Sequence, residues 1–143
     1  MRFWDSSAIL PLLVPAPESG QLAALMRDDP SAAVWWGTPV ECASALARLE
    51  REGRLGAADW DVATSRLHAA ARGWTEVPPI GRVRDQATRL LRLHPLRAAD
   101  ALQLAAAVVL ADFEPGTLPF VTLDEQLRAA ARREGFRVFG AQS

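Results

Sequence analysis

Arg97-Ala98-Ala99-Asp100-Ala101-Leu102-Gln103-Leu104-Ala105-Ala106-Ala107-Val108-Val109-Leu110 is a strong helix pattern, apolar on nearly every face, and a helix of that kind lies inside a fold rather than on it. Two polar side chains interrupt it. Asp100 and Gln103 stand three residues apart and share a face, and a carboxylate carried towards the interior needs something to compensate it. Asp100 therefore marks a candidate site. The bland alternative is a first-turn acid that complements the backbone N–H groups at the helix start.

Around this helix the chain alternates short β-like runs with helix patterns. Arg2-Phe3-Trp4 reads as a strand ended by Asp5-Ser6-Ser7, three good N-cap residues, before the apolar run Ala8 to Val14. A helix from Glu18 to Asp28 leads to a second strand, Ala32 to Trp36. Thr38 as N-cap and Pro39 at the first helical position open a helix to about Glu52, with Val40, Ala43, Leu46 and Ala47 as its core side. Further helices are expected at Ala57 to Ala71 and Gly81 to Leu93, on either side of a weak strand at Trp74 to Val77. After the buried helix, Pro119 to Thr122 is a strand, Asp124 caps a helix to Arg133, and Phe136 to Phe139 is a terminal strand.

Such alternation predicts an α/β fold, a mostly parallel central sheet with helices on both faces, as a single domain over 1–143. Sheets of this kind hold ligands at the carboxyl ends of their strands. Asp5 and Asp124 follow strands and fall at that edge, while Glu41 and Asp100 fall in the first turns of helices that start there. Each has an innocent reading as a cap or a dipole-complementing acid. Together they read differently, because two carboxylates about 5 Å apart at an effective dielectric near 20 repel by about 3 kcal/mol. A cluster of four requires protons or a cation, and hard ions such as Mg²⁺ or Mn²⁺ take oxygen ligands and share them with substrate phosphates.

Composition narrows the chemistry. All sixteen basic residues are Arg, so a P-loop lysine, a Schiff base and the lysine of a phospho-receiver are excluded. The turn after the first strand, Asp-Ser-Ser-Ala-Ile-Leu, lacks both the glycines of a dinucleotide-binding loop and the second aspartate of a haloacid-dehalogenase phosphatase. One cysteine, Cys42, allows neither an internal disulfide nor a cysteine metal cage. A carboxylate stands at position 5, where a secretory signal carries its apolar run, and no apolar stretch reaches the ~20 residues of a membrane span. A soluble cytoplasmic protein with no membrane partner is expected.

The sequence resembles the PIN-domain ribonucleases, and more narrowly the VapC-type toxins of toxin–antitoxin pairs. The matching stretches are Asp5-Ser6-Ser7-Ala8, Pro39-Val40-Glu41-Cys42-Ala43-Ser44-Ala45-Leu46, Arg97 to Ala105, and Val121-Thr122-Leu123-Asp124, in an order and spacing that cover nearly the whole chain. The segment from Gly53 to Leu93 carries little of the signature. The resemblance implies a PIN-like fold and an acidic metal-binding and catalytic quartet of Asp5, Glu41, Asp100 and Asp124, with Ser7 and Thr122 as supporting hydroxyls. It also implies an RNA substrate, a homodimer, and a cognate antitoxin whose C-terminal segment lies over the active site. The activity expected is that of a Mg²⁺- or Mn²⁺-dependent endoribonuclease, the toxin of a type II pair. The alternative is a PIN-like module that binds RNA or protein without cutting.

Metal-assisted hydrolysis needs no protein nucleophile, which suits a chain with no Tyr and two histidines, His68 and His94, outside the acidic motifs. Both histidines read as surface or structural, and Cys42 as a small core residue. Leaving out the four site acids, sixteen arginines face thirteen acidic residues, a surplus suited to phosphate. Arg48, seven residues after Glu41 on the same helix face, is the candidate substrate contact, with Gln103 as a second. Arg51 and Arg54 follow, but a cation at a helix end is also simply favourable there. Trp35-Trp36 could stack on bases or fill a partner groove, although strand tryptophans more often belong to a core. Five tryptophans and a half-hydrophobic composition suggest more apolar surface than one core hides, so a homodimer through a helical face is expected from composition too.

Overall fold

The computed structural model describes residues 1–140, so the last three positions of the expected domain lie outside the described residues. The strands are β1 (Arg2–Trp4), β2 (Ala32–Trp35), β3 (Thr75–Val77), β4 (Phe120–Val121) and β5 (Val138–Phe139). They form one sheet in the order β3-β2-β1-β4-β5, and every pairing among them is parallel. Among the described residues seven α-helices accompany them: α1 (Ser6–Leu13), α2 (Ser19–Asp28), α3 (Thr38–Arg51), α4 (Ala57–Ala71), α5 (Gly81–Leu93), α6 (Ala98–Leu110) and α7 (Glu125–Arg133).

Side chains alternate across a strand, and the two faces of this sheet divide the helices accordingly. Phe3, Ala33 and Phe120 pack with α5, α6 and α7, whereas Trp4, Ala32, Val34 and Val121 pack with α1 to α4. The chain runs outward from β1 to β3 on one side and then returns to β4 on the other side of β1. β1 and β4 are thus the neighbours between which the strand order reverses. In an open α/β sheet the crevice beyond the carboxyl ends at that point is where ligands sit.

Three local expectations are corrected. Gly37, not Thr38, is the N-cap of α3; Thr38 is its first residue and is fully buried. The buried stripe of α3 is Thr38, Cys42 and Leu46, while Val40 is 70% exposed and Ala43 is also exposed. Hydrophobicity misleads here because the buried end of the stripe is a threonine whose hydroxyl accepts a hydrogen bond from Gln103 (3.0 Å). The terminal strand is confined to Val138–Phe139, since the Phe136 N–H closes the end of α7 on the Ala131 carbonyl (3.0 Å), past Gly135 at φ +100°. Helix α6 matches its reading, with Ala101 and Leu104 to Ala107 wholly buried.

Candidate active site

Asp5 leaves the carboxyl end of β1 as the N-cap of α1 and is 3% exposed. Its Oδ2 accepts hydrogen bonds from the Ser7 N–H (3.3 Å), the Ser7 hydroxyl (2.5 Å) and the Thr122 hydroxyl (2.9 Å). Both hydroxyls direct their single proton at Asp5 and accept in turn from the turn after β4, Ser7 from the Leu123 N–H (2.9 Å) and Thr122 from the Asp124 N–H (3.1 Å). Asp124 caps α7 by accepting from the Leu127 N–H (2.7 Å). The two acids that flank the reversal point are therefore tied together through Ser7 and Thr122.

The other two acids arrive on helices from opposite faces of the sheet. Glu41, half-buried in the first turn of α3, accepts at Oε1 from the Ser6 hydroxyl (3.0 Å) and at Oε2 from the Gln103 amide (3.2 Å). Asp100 stands half-buried in the first turn of α6. Burial is the main force raising the carboxyl pKa of Asp5, Glu41 and Asp100 above the ordinary range, and like charge adds to it. Asp124 acts on Asp5, Asp5 and Asp100 act on Glu41, and Asp124 and Asp5 act on Asp100. The four acids share one field.

None of the ion pairs among the described residues includes any of the four. Arg97 lowers the Asp100 pKa by its charge without pairing; elsewhere the acids are held by neutral hydroxyls, backbone N–H groups and one amide. No three acidic, histidine or cysteine side chains among the described residues are grouped tightly enough to enclose an ion as they stand. The donor set still fits a hard divalent ion. Asp5 Oδ1 and Asp124 Oδ2 accept no hydrogen bond shorter than 3.5 Å among those residues, and Mg²⁺ binds through one or two carboxylates while keeping several waters.

The chain matches no family model. It is 34% identical to Ribonuclease VapC45 of Mycobacterium tuberculosis (strain CDC 1551 / Oshkosh) and to Ribonuclease VapC49 of the same species (strain ATCC 25618 / H37Rv), in each case over 149 aligned positions covering 98% of this chain and 95% of the relative. The chain belongs to the VapC ribonuclease family. Its fold is also that of FitAcB from Neisseria gonorrhoeae (TM-score 0.66, 19% identity, 98% of this chain and 97% of that one). PAE2754 from Pyrobaculum aerophilum gives a TM-score of 0.64 at 23% identity (96% and 89%). A toxin–antitoxin complex from Klebsiella pneumoniae gives 0.61 at 16% (88% and 89%). The PIN-like α/β architecture is thus shared with all three.

Among the other candidate residues of this VapC-family chain, Gln103 alone departs from its expected place. Gln103 is fully buried and its amide nitrogen is taken by Thr38 and Glu41, so it reaches the site from behind rather than as a substrate contact. Arg48, Arg51 and Arg54 are exposed along or just past the end of α3. Trp35 is 8% exposed and belongs to the core, whereas Trp36 is 55% exposed at the end of β2. Cys42 is buried, and burial, with Glu41 and Asp5 adding negative charge, pushes its thiol up to about 12. His68 is exposed; His94 is buried and pairs with Glu134 (2.7 Å), whose other oxygen takes Arg89, tying the α5–α6 corner to α7.

Sequence reading missed Ser6 and the Thr38 hydroxyl as supports of Glu41. The available signal was a serine beside Asp5 and a threonine three residues before Glu41, on the same helix face. Both also make good capping residues, and that use conceals the other.

Proposed function

We propose that this chain is a Mg²⁺- or Mn²⁺-dependent endoribonuclease, the toxin of a type II toxin–antitoxin pair, with Asp5, Glu41, Asp100 and Asp124 as its metal-binding and catalytic acids. One observation carries the reading: four carboxylates share a field at the reversal point of the sheet, and the groups that hold them are neutral. Neutral donors orient a carboxylate without cancelling its charge, so the negative potential remains for a cation. The ion would polarise the phosphodiester and lower the pKa of an attacking water.

The chain's own residues do the rest. Ser7 and Thr122 fix Asp5 against the turn that carries Asp124, so these two acids are held in one frame. Ser6 and Gln103 set the plane of the Glu41 carboxylate. Arg48, exposed on α3, is a candidate for holding the RNA backbone. In this reading water is the nucleophile, since metal-assisted hydrolysis needs none from a side chain.

Partners follow the same reading. A cognate antitoxin would cover the acids with its C-terminal segment, and both proteins would work in the cytoplasm; among the described residues no single helix is long and apolar enough to cross a membrane. Trp36, Val40 and Ile80, exposed at the carboxyl end of the sheet, support a homodimer. The deciding experiment incubates antitoxin-free full-length chain with structured RNA in Mg²⁺ or Mn²⁺ and in EDTA. Cleavage with the metals, none in EDTA, and none by folded Asp5→Asn is expected. RNA binding without products under every condition would falsify the enzyme reading in favour of a non-cutting module.

A further inference from the structure

Two pairs of residues face each other across the site. Thr38 and Glu41 stand three residues apart on one face of α3, and Asp100 and Gln103 stand three apart on one face of α6. Gln103 joins the two helices, donating from Nε2 to the Thr38 hydroxyl (3.0 Å) and to Glu41 Oε2 (3.2 Å). We propose that Gln103 is a positioning residue of the acidic site, whose amide, held on Thr38, fixes the Glu41 carboxylate in the orientation that receives the metal ion. This rests on the reading of Glu41 as one of the acids that hold the ion.

The orientation of the amide supports the assignment. An ionised carboxylate only accepts, so it selects the NH₂ end of Gln103. That choice leaves Gln103 Oε1 buried without a partner among the described residues. The reverse orientation would let Oε1 accept from the Thr38 hydroxyl but would aim it at the Glu41 carboxylate. A residue serving packing alone would be apolar, with no buried oxygen left unpaired. The second support is chemical type. An arginine or lysine could hold Glu41 as firmly, but its charge would compete with the cation, whereas an amide adds none. With Ser6 on Oε1, Glu41 is gripped from α1 and α6 at once.

The test is Mn²⁺ titration of the full-length chain without RNA, followed by the EPR signal of the free ion, beside melting curves in EDTA. Gln103→Leu should weaken Mn²⁺ binding about tenfold, the usual effect of removing a group that orients a ligand, with the metal-free melting temperature equal or higher. Gln103→His, which keeps an N–H donor, should stay near wild type. In a Glu41→Gln background Gln103→Leu should add nothing. Should Gln103→Leu fail to fold, Gln103→Met carries the same expectation, and loss of the fold in both overturns the proposal in favour of a structural role. If Asp5→Asn and Glu41→Gln weaken Mn²⁺ binding and folded Gln103→Leu does not, the positioning role is wrong and the metal site stands. If none of the three weakens it, the metal reading itself fails.

Discussion

Asp100→Asn should inactivate the enzyme and stabilise the metal-free protein. Asp100 feels the charges of Asp124 and Asp5; for unit charges about 7 Å apart at an effective dielectric of about 40, suited to a half-exposed group, each repulsion is about 1 kcal/mol. Against this, a first-turn acid gains up to about 1 kcal/mol from the helix start. The net gain on removing the charge is about 1 kcal/mol near neutral pH, or about 3 °C in melting temperature for a chain of this size. The sign with pH follows from the raised pKa. A carboxyl raised in the folded state contributes stability that is complete below its unfolded value and is lost as pH rises through its folded value. The mutant's advantage should therefore shrink on acidification towards pH 4. Mg²⁺ should reverse the order, since ion at ten times its dissociation constant adds about 1.4 kcal/mol to the wild type and less to a variant that binds it weakly. Melting curves of both proteins, with EDTA or Mg²⁺ at pH 5 and 7.5, provide the assay. A metal-free mutant less stable than wild type at pH 7.5 would refute the reasoning and return Asp100 to a structural first-turn acid.

Gly140→Ala should lower stability by about 1–3 kcal/mol, because Gly140 lies at φ +90° and a Cβ there would stand 2.7 Å from the carbonyl oxygen of Thr122. Since the Thr122 hydroxyl holds Asp5, cleavage should fall too; unchanged melting and unchanged cleavage would count against this coupling. Light scattering at micromolar concentration should show a dimer, and Trp36→Ser should shift it towards monomer. A wild-type monomer under those conditions rules the dimer out.

Much of the fold was legible because its signals are local. Asp5 and Asp124 cap the helices they were expected to cap, and Ala101 and Leu104 to Val108 are buried as their composition demands. The α3 face was misread because burial there is decided by a partner 65 residues away, Gln103 on the Thr38 hydroxyl, and no periodicity within α3 records it. The same holds for Phe136: its aromatic, β-branched surroundings favour a strand, while a turn at Gly135 assigns its N–H to the end of α7. For the site, the acids could be placed at one edge from their positions after strands and in first turns, but which neutral group touches which carboxylate depends on the approach of helices from opposite faces of the sheet.

That arrangement explains why a costly site persists in a small fold. Asp5 and Asp124 would be serviceable caps whether or not a metal ever bound, so two of the four charges stabilise their own helices while contributing to the shared repulsion. Glu41 and Asp100 gain from the helix starts they occupy. Each acid is thus locally favourable and only collectively unfavourable. The repulsion lies in the long-range terms, which a divalent ion can relieve all at once. Ser6, Ser7, Thr122 and Gln103 hold the geometry without neutralising any charge, so the carboxylates are oriented in advance and, on the proposed reading, their compensation is left to an ion.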